Sequence, residues 1–279
     1  MDPNLQTQIN SARLKFRDGE TIFGTGYGAE GIKVAELCFN TSMTGYQEIL
    51  TDPSYYKQIL TFTFPHIGNV GTNLEDNESS KPHLSGIVTS SLPTNDSSWR
   101  SEDSLINWMV NKKVIGICNV DTRKITKKIR DQGAQDVAIE HRKDGKFLDK
   151  ELSEKLLNFP GLKGMDLARN VSCRKPYNFT ELGFPWIEQK SVTGKKVVVI
   201  DYGIKANILR KLASHGFEIT VVPADFPADE ILKLNPKGIF LSNGPGDPAA
   251  THNYSGPIIK NIISQKNLPI FGICLGHQL

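Results

Sequence analysis

The pattern of apolar residues in the first half of the chain consists of short runs separated by turns. Such runs, four to seven residues long and rich in β-branched side chains, are typical of strands, whereas apolar residues spaced three or four apart indicate helices. We predict strands at Ala12–Phe16, 21–24, 58–64, 84–91, 114–120 and 136–140, and helices at 101–113 and 121–130. These elements predict a mixed α+β domain at residues 1–145.

From residue 193 onwards, predicted strands and helices alternate regularly. We predict strands at 196–201, 218–222, 238–241 and 268–273, and helices at 205–215, 227–234 and 257–264. Short strands rich in Val and Ile that alternate with helices indicate an open α/β domain with a mainly parallel sheet, here residues 193–279. The segment 146–192 has one predicted helix, 148–157, followed by a polar stretch with prolines, and we interpret it as an interdomain linker. The predicted fold class is therefore α/β, with two domains.

Composition narrows the function classes. The 279 residues are 38% hydrophobic and 23% charged, which excludes a disordered chain. The net charge of +3 is too small to indicate nucleic acid as a partner. The chain lacks an apolar run of the ~18 residues that span a bilayer, and its first ten residues do not resemble a signal peptide. We therefore expect no membrane partner and a cytoplasmic location.

The four cysteines are too widely spaced for a zinc site or a compact disulfide framework, so we predict no metal site. Cys274 lies in the segment Gly-Ile-Cys-Leu-Gly at 272–276, directly after the last predicted strand. This is the spacing of a nucleophile on a tight strand-to-helix turn, where larger flanking residues would collide. The helix that follows would favour the thiolate, and the Leu275 N–H would face an oxyanion. The alternative is a buried structural cysteine.

A second candidate segment is Ser-Asn-Gly-Pro-Gly-Asp-Pro at 242–248, which follows the preceding strand. Ligands bind beyond the carboxyl ends of strands in open parallel sheets, so this loop and Cys274 are expected to face one crevice. Its glycines let backbone N–H groups approach a substrate closely. The alternative is an ordinary Gly-Pro turn. The segment lacks the Gly-Lys-Ser/Thr ending of a nucleotide-binding P-loop.

Together, the segments 272–278 and 242–248 closely resemble class I glutamine amidotransferases. The amino-terminal half is similar to the small-chain family of glutamine-hydrolysing carbamoyl phosphate synthases. This similarity rests first on Phe-Asn-Thr-Ser-Met-Thr-Gly-Tyr-Gln-Glu-Ile-Leu-Thr-Asp-Pro-Ser-Tyr at 39–55. It rests also on Phe-Pro-His-Ile-Gly-Asn-Val-Gly at 64–71, Asp-Thr-Arg at 121–123 and Pro-Gly-Leu-Lys-Gly-Met-Asp-Leu at 160–167. The resemblance covers essentially the whole chain.

The resemblance implies a glutaminase that supplies ammonia to a large synthetase chain, where bicarbonate and ATP give carbamoyl phosphate for arginine and pyrimidine synthesis. The implied partners are that large chain and L-glutamine. No cofactor is expected in this chain, and ATP and magnesium are expected on the large chain. By motif position, Cys274 is the implied nucleophile. The implied oxyanion and glutamine-binding residues are Ser54, Gly244, Gly246, Leu275 and Gln278.

The family's catalytic His and Glu lie beyond residue 279, so we expect residues 1–279 alone to be inactive. We expect His277, three residues after the nucleophile, and His252, in a predicted loop, to be structural. A second hypothesis is a catalytically incomplete module that binds the large chain. A third, a cysteine hydrolase of the α/β-hydrolase type, explains the turn at Cys274 but not residues 39–71.

Overall fold

The structure is a computed structural model that describes residues 10–183, 191, 193–265 and 268–279. Most of the amino-terminal segment that we compared with signal peptides, and part of the predicted linker, lie outside the described residues. The chain divides into two compact units. The first comprises Met1–Thr51, Lys57–Asn77 and Lys81–Gly161, and the second comprises Asp52–Tyr56, Glu78–Ser80 and Leu162–Leu279.

The first unit is built on a closed seven-stranded barrel. Its strands are β1 (Ala12–Phe16), β2 (Thr21–Gly28), β3 (Gly31–Asn40), β4 (Gln58–Phe62), β5 (Gly86–Val88), β6 (Ile115–Cys118) and β7 (Gln135–His141). The order around the barrel is β1-β2-β6-β5-β4-β3-β7, and β7 pairs with β1 to close it. Pairing is parallel from β3 through β4 and β5 to β6 and antiparallel elsewhere. Alternate strand residues form the core, as the two-residue period of a strand requires.

In the described part of the first unit, four helices accompany the barrel: α1 (Tyr46–Thr51), α2 (Leu105–Asn111), α3 (Thr122–Gln132) and α4 (Asp149–Leu157). The predicted amino terminus of α3 is confirmed, because the Asp121 side chain accepts a hydrogen bond from the Lys124 N–H at 2.8 Å. Helix α2 begins later than predicted, since Ser104 is its N-cap residue. With these helices, the predicted mixed α+β character of the first unit is confirmed.

Helix α4 extends the first unit past the predicted boundary at residue 145. Its apolar residues Leu152 and Leu156 are buried against Ala138 of β7, with Ile32 and Val34 of β3 packed around them. Burial of these side chains keeps the helix on the barrel. The first part of the segment that we interpreted as a linker therefore belongs to the compact barrel unit, which continues to Gly161.

The second unit contains an open five-stranded sheet. Its strands are β8 (Tyr177–Phe179), β9 (Lys196–Asp201), β10 (Glu218–Pro223), β11 (Gly238–Leu241) and β12 (Ile270–Gly272). The order is β12-β11-β9-β10-β8, with four parallel strands and β8 antiparallel at one edge. The predicted mainly parallel sheet is confirmed, and β8, which lies in the predicted linker, is an addition to it.

Helices cover both faces of this sheet. They are α5 (Ala168–Val171), α6 (Ala206–Ser214), α7 (Ala228–Lys233), α8 (Pro248–Ile263) and α9 (Leu275–Gln278). Side chains of α6 pack on one face, and side chains of α7 and α8 pack on the other. Strand β9 is consequently buried on both sides, which explains its unbroken run of Val and Ile.

The start of α8 was predicted nine residues too late. The Asp247 side chain accepts the Ala249 N–H at 2.9 Å and caps the helix there, and the helix continues through Pro257. His252 therefore lies on α8, where its side chain is exposed, and not in a loop. No helix in the described part of the chain combines the length and apolarity needed to cross a bilayer.

Candidate active site

Cys274 lies on a strained turn between β12 and α9. Its backbone angles are φ 51° and ψ −116°, and it is the N-cap residue of α9. A non-glycine residue with positive φ is unfavourable by about 1–3 kcal/mol and persists only where the surrounding structure enforces it. The residue is also exposed. The strained turn predicted from the glycine spacing is thus present, and Cys274 is not a buried structural cysteine.

The flanking glycines explain how this turn is held. A Cβ atom on Gly276 would lie 2.3 Å from the carbonyl oxygen of Leu241, and one on Gly272 would lie 2.6 Å from the carbonyl oxygen of Gly276. Both distances are far below van der Waals contact, so a side chain at Gly276 would push the turn away from β11, and one at Gly272 would force the turn itself open. The backbone therefore requires glycine at both positions, which is the steric reason given above for the motif.

Hydrogen bonds attach the cysteine turn to the end of β11. The Ile273 N–H donates to the Leu241 carbonyl at 3.1 Å, and the Gly276 N–H donates to the Ser242 carbonyl at 3.0 Å. Strands β11 and β12 are parallel neighbours, with Leu241 opposite Gly272. The carboxyl ends of the two strands thus bring Cys274 beside the loop 242–248, as the sequence predicted.

Gly244 and Gly246 lie in the loop that follows β11, which we call the glycine loop (residues 242–248). Gly244 is buried, and a Cβ atom there would lie 2.1 Å from the Tyr202 carbonyl oxygen. At Gly246 a Cβ atom would lie 2.8 Å from the Leu167 backbone nitrogen. The loop is therefore packed tightly against neighbouring backbone, and a side chain at Gly244 would displace it.

Ser54 is brought to the glycine loop from a distant part of the sequence. It lies in a short 3₁₀ turn, Pro53–Tyr55, that belongs to the second unit. Its Oγ accepts a hydrogen bond from Asn243 Nδ2 at 2.9 Å, and its N–H donates to Asp52 Oδ1 at 2.8 Å. Ser54 is thus fixed from both sides and lies against the residue that precedes Gly244.

The remaining candidates occupy the first turn after Cys274. Leu275 is buried, and as the first residue of α9 its N–H has no acceptor within the helix. Gln278 and His277 are exposed on the same turn. The His277 N–H donates to the Cys274 carbonyl at 2.9 Å. The helix is only four residues long, so these side chains all lie close to the cysteine in the chain.

The other three cysteines differ from Cys274 in their surroundings. Burial raises the pKa of the Cys38 and Cys173 thiols to about 12 and that of Cys118 to about 11. The thiolate is the nucleophilic form, so these three groups are protonated and unreactive at neutral pH. Among the described residues, no cluster of three or more His, Cys, Asp or Glu side chains could hold a metal ion.

Two family models match the chain. The carbamoyl-phosphate synthase small chain, CPSase domain, matches residues 14–139, and glutamine amidotransferase class-I matches residues 198–279. The carbamoyl phosphate synthase small chain of Ruegeria pomeroyi is 52% identical over 272 residues, which cover 96% of this chain and 70% of that protein. The chain belongs to the carbamoyl phosphate synthase small-chain family.

Further relatives agree with this assignment. The small chain of Yersinia pseudotuberculosis is 49% identical over 278 residues, covering 97% of this chain and 70% of its own length. The small chain of Bradyrhizobium diazoefficiens is 46% identical over 285 residues, covering all of this chain and 72% of its own length. The barrel thus corresponds to the CPSase domain of the family and the parallel sheet to its amidotransferase domain, so the family resemblance is confirmed.

Several residues that shape the site were not singled out from the sequence. Asn243 and Asp52 hold Ser54, as described above. Asp201, at the carboxyl end of β9, is buried and accepts the N–H groups of Gly203, Ile204 and Cys173. Burial raises the pKa of Asp201 despite these bonds. The sequence did contain a signal for Asp201, because this acidic residue directly follows a run of four aliphatic residues.

Proposed function

We propose that this chain is the glutaminase subunit of a carbamoyl phosphate synthase and hydrolyses glutamine through a thioester at Cys274. The observation that supports this most strongly is the exposed cysteine on a strained, glycine-flanked turn beside the glycine loop. Such strain is typical of functional positions, where it presents the nucleophile to a substrate. Membership of the small-chain family supplies the substrate and the partner.

The proposed reaction begins with the thiolate of Cys274. Its sulfur attacks the side-chain amide carbon of glutamine and forms a C–S bond, while an electron pair moves onto the carbonyl oxygen. The backbone N–H groups of Leu275 and Gly244 hold the resulting oxyanion. The electron pair then returns to re-form the carbonyl, the C–N bond breaks, and the nitrogen takes the proton that the thiol gave up and leaves as ammonia. Water attacks the thioester, the C–S bond breaks, and glutamate and the thiol are released.

Substrate binding is assigned by family position to side chains around the same loop. Ser54 and Gln278, with the backbone at Gly246, are the proposed contacts to the rest of the glutamine molecule. Ser54 is already fixed by Asp52 and Asn243, so it can bind without a further ordering cost. The substrate would thus lie between the 3₁₀ turn, the glycine loop and α9.

The second half of the proposal concerns the use of the ammonia. We propose that it passes to the large synthetase chain, which combines it with bicarbonate and ATP to give carbamoyl phosphate for arginine and pyrimidine synthesis. ATP and magnesium would be bound by that chain, with no cofactor in this one. We keep the prediction of a cytoplasmic location for the pair.

An isotope experiment tests this transfer. The protein, expressed from its complete gene together with the large chain, is given glutamine labelled with heavy nitrogen at the side-chain amide, in a solution that contains excess unlabelled ammonium. We expect the carbamoyl phosphate to carry the heavy isotope at nearly the enrichment of the glutamine, because the ammonia passes between the chains without mixing with solvent.

The control reaction omits glutamine and must give unlabelled product from the ammonium alone. Dilution of the label to the enrichment of the total ammonia pool would contradict direct transfer. Product formation from ammonium with no labelled product at all would contradict the glutaminase assignment itself.

A further inference from the structure

Asn243 is a buried residue of the glycine loop, and both N–H hydrogens of its side-chain amide are used in hydrogen bonds. Its Nδ2 donates to Ser54 Oγ and to the Gly203 carbonyl, both at 2.9 Å. Its Oδ1 accepts the Lys205 N–H at 3.2 Å. An amide side chain has two N–H hydrogens, so both are committed. The side chain thus connects the glycine loop to the Ser54 side chain and to the backbone of residues 203–205.

These contacts close into a ring. Asp52 accepts the Ser54 N–H at 2.8 Å through Oδ1, and its Oδ2 lies 3.9 Å from the Lys205 ammonium. Starting at Asn243, the connections run through Ser54, Asp52 and Lys205 and return to Asn243 through the Lys205 N–H. A closed network of this kind restrains every member more strongly than the separate pairs would.

The backbone of Asn243 is fixed as well. The fully buried Ser242 donates its hydroxyl hydrogen to the Asn243 carbonyl at 2.8 Å and accepts the Tyr202 N–H at 2.8 Å. The Asn243 carbonyl and the Gly244 N–H belong to the same peptide unit, which is planar, so they point in opposite directions. Fixing the carbonyl therefore also fixes the direction of the Gly244 N–H.

We propose that Asn243 and Ser242 are positioning residues that hold the Asn243–Gly244 peptide unit so that the Gly244 N–H stabilises the oxyanion. The proposal rests on the proposed function, since it assigns to two further side chains the task of orienting one of its oxyanion donors. Neither side chain contacts the reacting atoms. They act through the Asn243–Gly244 peptide unit, while the ring through Ser54 and Asp52 keeps Asn243 itself in place.

Preorganised donors are effective because they need no reorganisation during the reaction. A peptide unit that can rotate presents its N–H only part of the time. Misplacement of a catalytic group by about 1 Å can cost 10²-fold in rate. We therefore expect Asn243→Ala to lower kcat for glutamine by about 10- to 100-fold and to change KM by only a few-fold, because the donor acts mainly in the transition state.

The test uses the complete protein assembled with the large chain. Steady-state kinetics with glutamine and with ammonia are measured for Asn243→Ala, and hydrogen exchange is measured on the peptide that contains the glycine loop. We expect the fall in kcat to occur only with glutamine, together with faster exchange in the loop. The matched control is Asn178→Ala, on the exposed edge strand β8, which should change neither quantity.

Ser242→Ala provides a second variant that removes only a hydroxyl group, in case Asn243→Ala folds poorly. We expect Ser242→Ala to lower kcat with glutamine by a smaller factor than Asn243→Ala does, with KM again changed by only a few-fold. In addition, we expect the double variant Asp52→Ala/Asn243→Ala to lose less kcat than the product of the fold-losses of the two single variants. Both residues belong to one ring, so the second substitution removes restraint that the first has already weakened.

Retention of kcat within two-fold in folded Asn243→Ala and Ser242→Ala would overturn the proposal, as would a fall in ammonia-dependent synthesis of the same size. Cys274→Ser, assayed alongside, separates this failure from that of the proposed function. If Cys274→Ser loses glutamine-dependent synthesis while both positioning variants keep it, only the positioning proposal fails. If Cys274→Ser keeps it, the proposed function fails.

Discussion

Replacing Cys274 by serine is expected to abolish carbamoyl phosphate synthesis from glutamine and to leave synthesis from ammonia unchanged. The hydroxyl of serine is a much weaker nucleophile than a thiolate, so we expect a loss of about 10⁴-fold or more with glutamine. Ammonia supplied directly should bypass this chemistry, because in the proposed function the nucleophile is needed only to release ammonia. The measurement is product formation by the assembled complex with each nitrogen source.

The matched control is Cys173→Ser, which changes a half-buried cysteine in the same unit. Burial raises the pKa of that thiol to about 12, so it carries no reactive thiolate at neutral pH and its loss should leave both activities intact. Loss of both activities in a correctly assembled Cys274→Ser complex would contradict the division of labour between the two chains.

Gly244→Ala is expected to cause the second largest effect, a fall in glutamine-dependent turnover of about 10²- to 10³-fold, the usual cost of losing one oxyanion donor. The added Cβ would lie 2.1 Å from the Tyr202 carbonyl oxygen, which is backbone and cannot rotate away. The glycine loop must therefore shift and carry the Gly244 N–H with it. Because Gly244 is buried, we also expect a lower free energy of unfolding.

Gly238→Ala is the control for this substitution. Gly238 is the first residue of β11, the strand that leads into the glycine loop, and a Cβ atom there would lie 3.7 Å from the nearest atom. It should keep normal turnover with glutamine. Turnover by Gly244→Ala within a few-fold of the parent protein would be incompatible with a role for the Gly244 N–H in the reaction.

The parallel sheet and the cysteine turn could be predicted because their physical requirements are local. Strand β9 is buried on both faces, so its sequence is an unbroken apolar run, and a strand in the middle of a parallel sheet is the element that fits such a run best. The turn at Cys274 needs glycine on both sides, and this spacing is visible in the five residues 272–276. The structure confirms both the mainly parallel sheet and the strained turn at Cys274.

Other elements were missed because their signals are mixed. Strand β3 packs Ala35 and Leu37 into the barrel core and Ile32 and Val34 against α4. Both faces are thus covered, and the alternation of apolar and polar residues that marks a half-exposed strand is absent. The closure of the barrel joins β1 to β7 across more than a hundred residues of sequence, a separation that local patterns do not bridge.

The early start of α8 was missed for a different reason. The predicted helix began at residue 257, and both Gly256 and Pro257 are residue types that disfavour a helix interior. In the structure, a Cβ atom on Gly256 would lie 2.5 Å from the His252 ring, so glycine leaves room for that side chain one turn earlier. The ring around Asn243 was missed as well, because Ser54 lies 189 residues away in the sequence.

The most direct test of the account is to trap the covalent intermediate. The assembled complex is mixed with glutamine, quenched in acid within one turnover and digested, and the peptides are analysed by mass spectrometry. The account predicts that the peptide containing Cys274 gains the mass of glutamine less ammonia, that fragmentation places the addition on Cys274, and that Cys274→Ser shows no such addition. A glutamyl group on another residue, or glutamate release at the normal rate by the Cys274→Ser complex, would contradict it.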